Sequence, residues 1–325
     1  MTLSGRAHSP EFEAERAHRR RWILIPGVVV LLCVVFGMVS MIGPFRTHEE
    51  TINQVYGAGV RKIELDSPGD LDVRPADGNQ ITGQWETHWN YTRPGVQEVR
   101  DGDTLRLSLD CSRSVGVECF ADLRLSVPDG VALDVTSHSG SISVRDLTGP
   151  VSVDNAGGDV RVDGVAGDVK ASTKSGSITL RDIGGDVAAD TKSGDIDADG
   201  LGGRVGTFDD KSGDINARFT TAPTTVSAET LSGDVTVRVP RGSGPYQVRP
   251  DVTSGELESY VLTNTTAKNI ITVGTKSGDA RIGYTDERPE PPGRHDGSHR
   301  SHHGNQWTPP TPPTPPTPPA VPKPN

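Results

Sequence analysis

The chain is poor in aromatic residues, with 4 Trp, 5 Tyr and 6 Phe among 325 residues. Few rings beside many small apolar residues point to a narrow core. Positive charge is also scarce. Residues 46–286 hold 24 Lys+Arg against 37 Asp+Glu, a net charge of −13. No basic stripe interleaved with aromatics occurs, and neutralising phosphates needs clustered Lys and Arg, so nucleic acid is excluded as a partner. Cysteine is limited to Cys33, Cys111 and Cys119. No CxxC and no nearby His pair accompanies them, which removes the usual zinc ligand sets. A P-loop, an HExxH helix and a His-based triad are all missing. No catalytic residue, cofactor or metal site is therefore expected. Helix signals are absent outside one apolar run.

That run, residues 22–43, reads WILIPGVVVLLCVVFGMVSMIG, 22 residues without a charge. About 20 apolar residues span a bilayer as a helix. Arg16, Arg19, Arg20 and Arg21 precede it, and fewer basic residues follow. The positive-inside rule puts the N-terminus in the cytoplasm and the bulk of the chain outside. The run is longer than a signal-peptide core and no A-x-A site follows, so an uncleaved single-pass anchor is expected. Outside the membrane, Cys111 and Cys119 lie close together in a β-rich segment. A disulfide bridging a hairpin is expected there, with two reduced thiols as the alternative.

The 38 Gly with abundant Asp, Val and Thr indicate many turns and strands. Those residues also repeat. An apolar residue two positions after a Gly recurs every nine residues: Ile142, Val151, Val160, Val169, Ile178, Val187, Ile196 and Val205. The series continues with small slips through Ile215, Val226 and Val235. Two flavours alternate, SGSI or SGDI (as at 175–178 and 193–196) and an apolar-x-G-x-V form (as at 183–187). The true period is therefore 18 residues, with two short strands in each. Inside a strand the apolar residue is followed two later by another small or apolar one, as in Val160/Val162, Val169/Ala171 and Ile178/Leu180. Period two puts both on one face, leaving Arg161, Lys170 and Thr179 towards water. Strands this short cannot build an ordinary sandwich, but stacked coils bury a continuous thin core. The predicted fold is all-β: a single-chain β-solenoid, parallel β-helix-like, with about eight 18-residue coils of two short strands over 137–284.

The flanks are less regular. Strand signals appear at 62–66, 70–73, 80–91, 104–110 and 121–127, with hairpin turns predicted at 77–79 and 101–103. Solenoid ends need atypical units, so this region reads as a β cap or opening coils. Residues 240–269 read as an interruption, after which the motif resumes at 277–280. The chain ends in a polar stretch with four His between residues 294 and 303 and a (TPP)n run over 308–319. Such a run favours polyproline geometry without a core. The expected organisation is a cytoplasmic tail (1–21), membrane helix (22–43), linker (44–59), β cap (60–136), solenoid (137–286) and disordered His- and Pro-rich tail (287–325).

Three sets of residues invite a chemical reading. Asp159, Asp195, Asp214 and Asp234 recur at one coil position, and Asp168 and Asp186 at another. Stacked carboxylates can bind calcium, yet the Gly and Asp spacing differs from calcium-roll repeats. The simpler expectation is that they accept backbone N–H bonds at corners. Lys174, Lys192 and Lys211 form a cationic row, read as solvated charges, with anionic wall polymers as the alternative ligand. Trp85 and Trp89 share a strand face and could stack a sugar, but cap core is the simpler reading.

The SGDI/SGSI repeat, the opening KIELDSPGDLDVRP (62–75) and the run LSVPDGVALDVTSHSGSISV (125–144) resemble a bacterial family of unknown function. That family is described as β-strand-repeat and carries the label "putative adhesin". The resemblance covers roughly residues 60–284. It implies a β-solenoid and an envelope setting, and it supplies no catalytic residues. The combined expectation is a membrane-anchored, extracytoplasmic binding or structural module whose partner is a cell-wall polymer or another envelope protein. A sensor of envelope stress acting through a membrane partner is the alternative. A carbohydrate-active enzyme is the third reading.

Overall fold

The computed structural model describes residues 31–34, 48–67, 69–89, 93–110 and 119–286. Within them lie the strands β1 (His48–Gly57), β2 (Lys62–Ser67), β3 (Leu71–Pro75), β4 (Ile81–Trp89), β5 (Gly95–Asp101), β6 (Thr104–Asp110) and β7 (Cys119–Val127). The repeat region adds β8 (Ala132–Ser137), β9 (Ile142–Arg145), β10 (Val151–Asn155), β11 (Val160–Asp163), β12 (Val169–Thr173), β13 (Ile178–Arg181), β14 (Val187–Thr191), β15 (Ile196–Leu201), β16 (Val205–Asp209), β17 (Ile215–Phe219), β18 (Thr225–Ser232) and β19 (Val235–Val239). It closes with β20 (Tyr246–Val252), β21 (Leu257–Ser259), β22 (Asn269–Ser277) and β23 (Ala280–Tyr284).

These strands form two sheets of 12 and 11 strands around one shared core. Alternate coil strands enter alternate sheets, and each pairs in parallel with the equivalent strand one coil away. Val151 lies opposite Val169, and Val160 opposite Ile178, a step of 18 residues in each case. The all-β solenoid expected from the nine-residue alternation is the observed architecture. Inward positions such as Val160, Val162, Ile178 and Leu180 are fully buried. Burying each such side chain contributes about 1.5–3 kcal/mol, and stacking makes that core continuous.

The corners explain the glycines. Gly176 has φ 139°, and a Cβ there would lie 2.2 Å from the Gly158 carbonyl oxygen below. Only a residue without a side chain fits such an approach. Beside this column runs a row of buried polar residues that includes Asn155, Thr173, Thr191, Asp210, Thr230 and Thr275. The Asn and Thr side chains of this row satisfy corner carbonyls: Thr191 Oγ1 donates to Gly176 O at 3.2 Å and Thr275 Oγ1 to Gly233 O at 2.9 Å.

Four details depart from the sequence reading. The stretch expected as a linker, 44–59, carries the strand β1 over His48–Gly57. Val205 does not point inward. It is 37% exposed, while Gly206 pairs with Val187 and Phe208 fills the core. The coil is one residue longer here, and a one-residue slip exchanges the two faces of a strand. Residues 240–269 do not interrupt the solenoid. They supply β20 and β21, the end coil of the stack, in which Gly255 stacks on Gly278 and Glu256 takes the usual Asp position. Residues 77–79 do not close a hairpin, because β7 inserts between β3 and β4. The predicted turn at 101–103 does join an antiparallel pair, β5 and β6.

Both ends share one arrangement. The coil formed by β2 and β3 is stacked between β6–β7 and β8–β9. The coil formed by β22 and β23 is likewise stacked between β18–β19 and β20–β21. The first and last coils in sequence are therefore interior. A small antiparallel cap completes the N-terminal end: β4 pairs with β7 and β1 with β4. Trp85 anchors it, fully buried, with its Nε1–H donating to Tyr56 Oη at 2.6 Å.

The predicted membrane helix over 22–43 lies outside the described residues except for a four-residue helical turn at 31–34. No helix among the described residues is long and apolar enough to cross a membrane. The predicted tail, 287–325, also lies outside them.

Candidate functional site

The corner aspartates are occupied by backbone. Asp159 Oδ1 accepts the Ser177 N–H at 2.9 Å, and Asp168 Oδ1 accepts the Asp186 N–H at 2.8 Å. Asp195, Asp214 and Asp234 accept the N–H of Asp214, Asp234 and Asp279 at 2.8–3.0 Å. Each carboxylate thus ties one coil to the next, as the simpler reading of these rows expects. Lys174, Lys192 and Lys211 are exposed. Trp85 is core, and Trp89 is half-buried with its ring stacked on His48. Cys111 lies outside the described residues. Cys119 pairs through its backbone with Trp89, and its side chain is not among those described.

Two surface features remain once these residues are assigned. The first is a trough of about 420 Å³ on the outer face of the 11-stranded sheet. It crosses β2, β8, β10, β12, β14 and β16, a length of about 24 Å at the usual spacing between strands. Its hollow arises because two neighbouring outward rows carry small residues, among them Ala132 and Pro150 in one and Ser152, Ala188 and Thr207 in the other. Larger side chains bound it. Val205 closes one end, expelled to the surface by the extra residue of its coil. Lys62 stands at the other end, and Lys170 lies within the second row between Ser152 and Ala188. Lys62 bridges Glu64 at 2.8 Å and Asp134 at 3.2 Å. Lys62 first, and then Arg106, hold the Glu64 carboxyl down at about 2. The trough therefore has a largely apolar floor and an end whose charges are fixed at neutral pH.

The second feature is an acidic hollow of about 280 Å³ whose lining includes Asp190, Asp209, Asp210, Glu229 and Asp251. The outward acids Asp190, Asp209 and Glu229 stand on successive strands. Burial first, then Glu229 and Asp190, push the Asp209 carboxyl above its ordinary value. Asp210 is 6% exposed and stands in the buried polar row one coil after Thr191. Its Oδ1 accepts the N–H of Lys211 at 2.6 Å and of Ser212 at 3.1 Å, while its buried Oδ2 has no partner. Burial raises this carboxyl too, against those two N–H bonds.

Neither hollow follows from the repeat motif, which aligns on inward residues. The signal for the trough lies in the outward positions, where Ala132 and Pro150 in one row, and Ser152 and Ala188 in the next, stand multiples of 18 apart among charged neighbours.

Residues 60–283 match the Toastrack DUF4097 family. No match to the chain is found among curated proteins. Solved structures similar to it include a protein described as a "putative adhesin" from Bacteroides fragilis NCTC 9343. That protein is 15% identical with a TM-score of 0.46, covering 72% of this chain and 97% of the other. Another is described as a "putative lipid binding protein" from Parabacteroides distasonis ATCC 8503. It is 12% identical with a TM-score of 0.45, covering 74% of this chain and 98% of the other.

Proposed function

The chain belongs to the Toastrack DUF4097 family, and from that premise we propose that it is an adhesin-like, non-catalytic binding rod of the bacterial cell envelope. In this reading residues 22–43 hold it in the membrane with residues 1–21 in the cytoplasm, and the solenoid stands outside. The apolar run and its flanking arginines support the anchor. Its binding surface is the trough on the 11-stranded sheet, and its ligand is an extended cell-wall polymer lying along the rod.

The observation that carries this reading is the trough itself. It is long, shallow and continuous over six strands, a shape suited to an extended chain rather than to a compact small molecule, whose sites are concave and enclosing. Its floor is largely apolar, with Lys62 at one end and Asp168, Lys170 and Asp186 along its length. Asp134 lines it as well, so its charges are mixed and suit a polymer that carries little net charge. The corner aspartates, committed to backbone N–H groups, leave the ladders rigid and hold the floor in place.

The test uses the purified full chain in detergent and isolated bacterial cell-wall material. Saturable retention is expected. Ala188→Trp fills the floor from an outward position and should weaken retention by at least about tenfold. Retention unchanged by that substitution would remove the trough as the contact surface. If the parent chain is not retained at all, the wall polymer is wrong, and the partner becomes another envelope protein beside the anchor, as in the sensor reading.

A further inference from the structure

On the cap, away from the trough and independent of the proposed wall binding, three metal-ligating side chains converge. Glu86 and His88 lie two residues apart on β4 and so project from the same face of the strand. Glu49 on β1 stands directly opposite His88 in the antiparallel register. One ligand atom from each of Glu49, Glu86 and His88 lies within 4.8 Å of the other two. No other such set of three occurs among the described residues.

Two further contacts bear on this grouping. The His88 ring stacks on Phe120 of the neighbouring β7, with centroids 4.6 Å apart and planes 19° from parallel. Stacking fixes the plane of the imidazole, the role that supporting groups play around metal-bound histidines. Arg124 lies 3.5 Å from Glu86 Oε2 and holds that carboxylate beside the group. Among the described residues, Glu49 has no ion pair. Two carboxylates held this close repel each other, and a divalent cation between them relieves that repulsion.

From this geometry we propose that Glu49, Glu86 and His88 form a divalent-metal site, with zinc as the ion of best fit. Zinc takes mixed imidazole and carboxylate ligands in tetrahedral geometry, and three protein ligands leave its fourth position to water. Bonds of about 2.0–2.2 Å require ligand atoms roughly 3.4 Å apart, a closure that rotation of the two glutamate side chains supplies. The ion would staple β1 to β4. Since β1 is an edge strand and the first of the domain, the staple would fix the base of the rod where the chain enters it.

The test is a zinc titration of the full chain in detergent by isothermal calorimetry, paired with amide hydrogen exchange. His295, His299, His302 and His303 are first replaced by Ala to remove metal binding by the tail. One zinc per chain is expected, with slower exchange of the β1 amides when zinc is bound. His88→Ala should weaken binding by at least about tenfold and abolish the added protection of β1. Glu49→Gln, a change on an exposed edge, should do the same without endangering the fold. No zinc binding by the parent chain, or binding and protection unchanged in both variants, would overturn the site.

Discussion

The carboxylate of Asp182 occupies the space that a side chain at Gly200 would need. Asp182 sits at φ 51°, and a Cβ on Gly200, at φ 78°, would lie 2.4 Å from Asp182 Oδ1. One coil pair earlier, Asp146 at φ 54° stands in the same relation to Gly164, at 2.5 Å. Aspartate tolerates left-handed backbone better than most residues, and the glycine above accepts its side chain. Asp and Gly therefore alternate along this corner column.

This pairing predicts a coupled effect. Gly200→Ala should cost about 1–3 kcal/mol, from strained backbone and the clash together. Asp182→Gly removes the clashing oxygen, so the double variant should be less destabilised than the two single losses added. Chemical denaturation of the four proteins measures the coupling. Strict additivity would show that the two residues do not share this space.

The extra residue at β16 gives a second prediction. A Cβ on Gly206 would lie 2.7 Å from Phe219 Cζ and 2.9 Å from Phe208 Cε2. The two rings pack edge to face, centroids 6.5 Å apart. Gly206→Ala should overpack this layer and cost about 1–3 kcal/mol. Adding Phe208→Leu should recover part of that loss in the melting temperature. No recovery would mean that the backbone, and not the rings, resents the methyl group.

The same layer shows what the sequence did and did not reveal. The alternation of Val160/Val162 and Ile178/Leu180 fixes faces directly, because period two is a local property. The SGDI corners are legible for the same reason. Val205 misled because Gly206 looks like a turn residue and hides the slip. Ser254-Gly255-Glu256-Leu257 escaped because Glu replaces Asp and long connections separate it from its neighbours. The stacking of β22–β23 inside β20–β21 is a matter of non-local pairing, which no motif encodes. The trough depends on outward side chains that the inward repeat leaves free to vary.

Asp210 supplies a prediction about pH. Burial raises its carboxyl above the ordinary value of 3.8. A raised folded value means that the group's favourable contribution is complete below the unfolded value and is lost as pH rises through the folded one. Thr191 and Thr230, its neighbours in the row, donate hydroxyls to Gly176 O and Gly213 O at 3.2 and 3.3 Å. Only a protonated Asp210 could donate in the same way. Asp210→Thr should therefore stabilise the protein at neutral pH by about 1–3 kcal/mol. That advantage should shrink as pH is lowered towards 4. Melting temperatures of both proteins from pH 4 to pH 8 provide the check, and an advantage independent of pH would sink the idea.

The stacking at the C-terminal end predicts an order of opening. β23 is hydrogen-bonded on both sides, to β19 and to β21. β22 is likewise flanked by β18 and β20. β21 is a three-residue edge strand whose Leu257 is 40% exposed, and the adjoining Tyr260 and Leu262 are 54% and 68% exposed. Local stability follows buried contacts and shared hydrogen bonds. Although β22 and β23 come last in sequence, their amides should exchange as slowly as those of β16 to β19. Those of β21 should exchange first. In an end-on stack that simply followed chain order, protection would fall steadily from β18 to β23. Exchange measured by mass spectrometry on peptides from β20–β21 and β22–β23 separates the two cases. Equal or faster exchange in β22–β23 would show that the last coil is not held between its neighbours in solution.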